Sequence, residues 1–135
     1  PRPVSSAASD VYKRQNFLNS IYASLKLDQL DFKLNVLGFS QGGPTATRWV
    51  INNKFKLNSL ILWGCDLPND CLEEDNKSRW SDFRLKYVIG KNDEYIDDEK
   101  IIHEKEKLTN YGLVYDFHLF EGGHNIESST LKKLI

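Results

Sequence analysis

Four short apolar runs constrain this chain more than any other feature. They are Lys33–Phe39 (KLNVLGF), Ser59–Gly64 (SLILWG), Leu85–Gly90 (LKYVIG) and Val114–Phe120 (VYDFHLF). Each has the length of a strand, and the unbroken apolar character of SLILWG marks a strand buried on both faces. The segments between and around them read differently. Phe17, Leu18, Ile21, Leu25 and Leu27 recur at roughly helical spacing, which predicts an amphipathic helix over residues 16–27. Residues 41–53 carry Ala46, Trp49 and Val50 on one helical face, with Pro44 in the first turn, where no N–H is needed for the ladder. Residues 97–111 predict a charged helix bearing Ile101, Ile102 and Leu108, closed by Gly112 as its C-cap. Ser128–Ile135 predicts a last helix, and the polar, Pro- and Asn-containing stretch 66–82 an irregular excursion. Strands alternating with helices imply an α/β fold with a mainly parallel sheet flanked by helices. Sheets of that kind carry their sites beyond the carboxyl ends of the strands.

The 135 residues suit one small domain, and a formal net charge of -1 gives no reason to expect nucleic acid or an anionic membrane surface as partner. No apolar run approaches the roughly 18 residues that a membrane span requires. Cys65 and Cys71 are too few for a disulfide scaffold and are expected as reduced, partly buried thiols, which suits a cytoplasmic location. Neither the cysteines nor the histidines show zinc spacing, so no metal is expected. The start of the chain is unlike the rest. Ser5–Gln15 (SSAASDVYKRQ) resembles, codon by codon, a translated frame of the transposase adapter used in sequencing libraries. Residues 1–15 are therefore expected to be an artefact without regular structure, leaving 16–135 as a partial domain. On that expectation the natural protein begins upstream of Asn16, with any signal peptide outside the chain.

The strand-end rule selects the candidates for chemistry. Gly38–Gly43 (GFSQGG) places Ser40 between the first strand and a helix. A serine on so sharp a turn needs small neighbours, and Gly38 and Gly42 are expected to supply them, with Gly43 letting the helix approach the strand. The Gln41 N–H opens the helix, whose positive end favours an oxyanion. A serine hydroxyl needs a base within hydrogen-bond reach. Of the three histidines, His103 falls on the charged helix and His118 within a strand. His124 follows the fourth strand in a Gly-Gly loop, and it alone stands at a strand end. Asp93, after the third strand, is the acid expected to hold its tautomer, with adjacent Glu94 as the rival. Asp97 and Asp98 read as residues that complement a helix dipole. The order Ser40, Asp93, His124 matches one serine-hydrolase scaffold and not the others.

These three stretches, GFSQGG, GKNDEYI (Gly90–Ile96) and FEGGHNI (Phe120–Ile126), resemble the α/β-hydrolase superfamily. The Gly-Phe-Ser-Gln-Gly form is similar to its phospholipase/carboxylesterase branch, which includes acyl-protein thioesterases and lysophospholipases. The resemblance covers residues 16–135 and implies Ser40 as nucleophile, His124 as general base and then acid, Asp93 as its orienting acid, and Gln41 as an oxyanion donor. It implies a carboxylic ester hydrolase that works through an acyl-enzyme on a small ester or thioester, with no cofactor. A thioesterase, serine peptidase, acyltransferase or non-catalytic binding protein on the same fold is the alternative. Members of that branch place the segment here written Trp63–Pro68 against the acyl pocket, which makes Leu67 and Trp80 candidate pocket residues. The branch's first strands, and the loop bearing a second oxyanion donor, have no counterpart in this chain. Loss of one such donor costs on the order of 3 kcal/mol. The chain itself is therefore expected to be weakly active or inactive, with an unpaired apolar sheet edge.

Overall fold

A computed structural model describes residues 4–135, with side chains from Ser9 onward. The four apolar runs form four strands, β1 (Asn35–Phe39), β2 (Ser59–Trp63), β3 (Arg84–Gly90) and β4 (Asp116–Phe120). They lie in one sheet in the order β1-β2-β3-β4, every neighbouring pair parallel. β2 is buried at all five positions, as its continuous apolar sequence requires. Phe39 lies opposite Trp63, Trp63 opposite Val88, and Gly90 opposite Phe120, so the strands end nearly level. The loops that follow them therefore meet along one edge.

Helices α1 (Val4–Ser24), α2 (Gly42–Asn52), α3 (Lys77–Trp80), α4 (Asp98–Tyr111) and α5 (Ser128–Leu134) complete the fold. The expected irregular stretch 66–82 holds two 3-10 turns and the short α3. Leu60 and Leu62 of β2 and Leu85 and Tyr87 of β3 pack on the face that carries Ala46, Trp49 and Val50 of α2 and Leu108 of α4. Ile61, Trp63 and Val88 point the other way, towards Phe120 of β4 and Leu131 and Leu134 of α5. Asp97 caps α4 by accepting the Lys100 N–H at 2.8 Å, and Gly112 closes it with φ 87°. At α5 the Glu127 carboxylate accepts the Ser129 and Thr130 N–H groups. Hydrogen bonds from the Ser129 and Thr130 side chains are the main cause that holds its pKa down to about 2.

Two expectations for the first helix need correction. It begins at Val4, not Asn16, so the described part of the adapter-like segment is helical rather than irregular; residues 1–3 lie outside the described residues. Ala7, Ala8, Lys13, Arg14 and Gln15 favour this extension, and Gln15 ties it to α2 by donating from Nε2 to the Thr45 C=O at 3.1 Å. The buried face also differs in part, since of the expected stripe Leu18 does pack on the core. Leu18 and Tyr22 pack on the core, Tyr22 against Trp49 and Phe55, while Asn19 Oδ1 accepts the Trp49 Nε1–H at 2.8 Å. Phe17, Ile21 and Leu25 are left on an exposed stripe. The sequence offers two stripes of helical period, and the hydrogen bond to Trp49 belongs to the less apolar one. β1 is an edge strand, as expected. Ser40 N–H donates to Trp63 C=O and Leu34 C=O accepts from Asn58 N–H, so even-numbered residues bond to β2. In a parallel ladder the odd-numbered Asn35, Leu37 and Phe39 then present their N–H and C=O groups to the open side.

Arg79 is a buried charge that organises this half of the core, at 8% exposure. Its Nε donates to Val50 C=O at 3.0 Å and its Nη2 to Phe55 C=O at 3.2 Å, while the guanidinium lies over the Phe55 and Phe83 rings. It thereby satisfies a carbonyl in the last turn of α2, where positive charge also complements the helix dipole. Arg79→Met keeps the apolar stem but leaves buried carbonyls without a donor. Chemical denaturation is expected to show a loss of about 2–3 kcal/mol, against no more than a few tenths for the exposed Lys54→Met.

Candidate active site

The turn after β1 is built by exclusion of side chains. Ser40 has φ 53°, in the left-handed region that non-glycine residues rarely enter, and the Gly43 N–H donates to its C=O at 3.0 Å. A Cβ on Gly38 would stand 2.7 Å from Gly43 Cα, 2.9 Å from Gly42 O and 3.0 Å from Ala46 Cβ. A Cβ on Gly43 would stand 2.3 Å from Cys65 Sγ. These two glycines let α2 start directly on top of β1 and β2. Gly42 is different: a Cβ there meets nothing within 4 Å. The expectation that Gly42 is needed for space is therefore corrected, because its Cα faces away from the strand.

Ser40, Asp93 and His124 converge over the level strand ends. His124 Nε2 lies 2.9 Å from Ser40 Oγ, and His124 Nδ1 lies 2.8 Å from Asp93 Oδ2. The Asp93 side chain is 1% exposed and that of His124 14%, so the carboxylate side of the imidazole is dry and the serine side opens outwards. Asp93 Oδ1 accepts the Tyr95 N–H at 2.8 Å, which fixes the carboxylate's orientation. The rival Glu94 is exposed and takes no part. His103 is exposed on α4, and His118 stands on β4 opposite Val88. Gln41 occupies the N-cap position of α2, beside Ser40.

The backbone brings the acid and base loops together. Lys91 N–H donates to Phe120 C=O and Asn92 N–H to Gly122 C=O, both at 2.9 Å. Gly90 permits this approach, since a Cβ there would lie 2.3 Å from Gly123 O. Trp63 Nε1–H holds the far side of the histidine loop by donating to Asn125 C=O at 2.9 Å. Gly64, with φ 63°, lies directly beneath the imidazole, where a Cβ would stand 3.0 Å from His124 Cε1. Phe39 and Tyr95 flank the same ring, with centroids 5.0 and 4.8 Å away. The sequence reading missed Gly64 and Tyr95 as members of the site. A glycine directly after an apolar strand was the signal for the first, and nothing in the sequence marked the second.

A cavity of about 980 Å³ opens beside Ser40 and runs under α4, bordered by Gln41, Leu67, Ile89, Tyr95, Ile101 and Phe117. Leu67 lines this cavity. Trp80 does not. It is 6% exposed in the core, with Nε1–H donating to Cys71 C=O and its ring against Phe83, because α3 turns it inwards. Cys65 and Cys71 are free and buried, and burial pushes both thiols up to about 12. Neither is a thiolate near neutral pH. Among the described residues, no three His, Cys, Asp or Glu side chains converge on a metal-sized site, and no helix is long and apolar enough to cross a membrane.

The parallel sheet with its flanking helices is shared by known structures. The structure superposes on Zea mays acyl-protein thioesterase 2 with a TM-score of 0.65 at 19% identity, over 93% of this chain and 63% of that one. It superposes on a variant of Arabidopsis thaliana SOBER1 with a TM-score of 0.68 at 18% identity, over 99% and 64%. The esterase PE8 gives 0.61 at 19% identity, over 89% and 54%. The fold is that of an α/β hydrolase. No protein-family model matches the sequence, and no curated protein does. The chain spans less than two thirds of the length of these structures.

The glycines separate steric need from coincidence. Gly38→Ala is expected to lower stability by about 1–3 kcal/mol in chemical denaturation, because the intruding methyl meets backbone that cannot rotate away. Gly42→Ala at the exposed start of α2 is expected to leave stability unchanged or raise it by about 0.5 kcal/mol. Equal losses at both positions would contradict this account of the turn.

Proposed function

We propose that the protein is a serine hydrolase that cleaves carboxylic esters through an acyl-enzyme on Ser40. The observation that carries this reading is the continuous contact from Asp93 Oδ2 through both nitrogens of His124 to Ser40 Oγ, at 2.8 and 2.9 Å. Ser40 Oγ attacks the ester carbonyl carbon while His124 Nε2 takes its proton, and the carbonyl electron pair moves onto oxygen. Asp93, buried against Nδ1, stabilises the imidazolium without taking the proton. The Gln41 N–H, at the positive end of α2, donates to the oxyanion. The intermediate collapses with departure of the alcohol, which takes the proton from His124. Water then repeats the sequence on the acyl-serine, releasing the acid and returning the proton to Ser40. The resident groups supply every proton transfer, so this cycle draws on no cofactor.

The substrate class is a small ester or thioester. The half-apolar cavity beside Ser40 supports it, and so do fold neighbours known as a thioesterase and an esterase. A fluorophosphonate probe is expected to label the protein, and Ser40→Ala to abolish the label. A wild-type protein that takes no label even on prolonged exposure to excess probe, where weak activity would still show, would sink the reading. Matched acyl esters and thioesters then decide the leaving group. With whichever is turned over, Asp93→Asn is expected to lower kcat by on the order of 10⁴, whereas Glu94→Gln leaves it unchanged. A comparable loss in both variants would assign the acid wrongly.

A further inference from the structure

Helix α4 takes hold of the loop after β2 through a charged pair that the triad does not use. Glu104 is 9% exposed, in a helix that turns most of its other charges to solvent. Its Oε2 accepts the Leu67 N–H at 3.0 Å. Lys107, one turn further on, donates from Nζ to the Leu67 C=O at 2.6 Å and lies 2.5 Å from Glu104 Oε1. Both backbone polar groups of a single residue are thus held by two side chains that neutralise each other. Removing such a pair from water carries a desolvation cost, so its presence asks for a return.

The return is the placement of Leu67. Between Gly64 and the 3-10 turn Asn69–Cys71 the backbone has left the sheet and has no ladder partner. Leu67, 1% exposed, nevertheless forms a wall of the cavity at Ser40. The other end of α4 acts in the same sense: Lys100 Nζ donates to Tyr95 C=O at 2.8 Å, in the loop that orients Asp93. One helix therefore ties down two loops around the serine.

We propose that Glu104 and Lys107 are positioning residues that fix Leu67 as the wall of the acyl pocket, and thereby set acyl-chain selectivity without touching the reacting atoms. The use of the pocket rests on the hydrolase reading above; the grip on Leu67 does not.

Two measurements on the full chain test this. Amide hydrogen exchange reads the grip, and labelling rates with a short-chain and a long-chain alkyl fluorophosphonate read its consequence. In Lys107→Met, exchange is expected to quicken at Leu67 and its immediate neighbours only. The long-to-short rate ratio is expected to change about tenfold, with the short probe's own rate unchanged. Lys107→Arg, which keeps a cationic donor, restores both. A ratio that does not move overturns the proposal, and so does an equal fall in both rates with faster exchange throughout the molecule. A wild-type chain that neither probe labels sinks the hydrolase reading, whereas labelling with an unmoved ratio sinks the clamp alone.

Discussion

The close approach of α2 to β1 is the constraint on which the rest of this structure depends. Gly38 and Gly43 meet backbone to backbone, and the volume they leave empty is what allows the chain to turn from strand to helix within Gln41 and Ser40. Ser40 then has no choice but a left-handed conformation, at φ 53°. Strain of that order, about 1–3 kcal/mol, persists only where the surroundings over-determine it. Here the sheet does so from below, through the Ser40 N–H bond to Trp63 C=O, and α2 from above, through the Gly43 N–H bond back to Ser40 C=O. The turn projects Oγ beyond the sheet edge, which is the one direction in which His124 can meet it.

That meeting depends on register. Parallel pairing without offset brings three loops, separated by 53 and 84 residues along the chain from Ser40, to one edge within hydrogen-bond distance. Backbone bonds between the Asp93 and His124 loops, and the Trp63 indole bond to Asn125, hold that edge closed on one side. The result is a graded environment. Asp93 is sealed, His124 is nearly so, and Ser40 borders the cavity under α4. A carboxylate shielded from water interacts more strongly with the imidazole it faces.

Element types were legible because their periods are unambiguous where burial is one-sided or complete. SLILWG reads as a buried strand from composition alone, and the structure buries all of it. Asp97 and Gly112 bound α4 through capping chemistry that is local, and so visible in sequence. The failures share one cause. Phe17, Ile21 and Leu25 form a good apolar stripe, yet α1 buries Leu18 and Tyr22, because Asn19 finds a partner in Trp49, 30 residues away. The family resemblance makes Trp80 a candidate pocket residue, but α3 rotates it into the core. Gly42 fits the motif and yet has open space around it. Each depends on a neighbour that no local pattern names.

The sequence by itself determined the α/β layering, the position of Ser40 at a strand end and the order of its candidate partners, since period, glycine content and strand boundaries are properties of short segments. Only the tertiary structure decided that Asp93 rather than Glu94 faces the imidazole, that Gly64 makes room beneath it, and that Glu104 and Lys107 grip Leu67. Those facts are distances between segments brought together by parallel pairing. Hydrogen bonds a few ångströms long cannot be read from residues 31 to 84 positions apart until the sheet register is set.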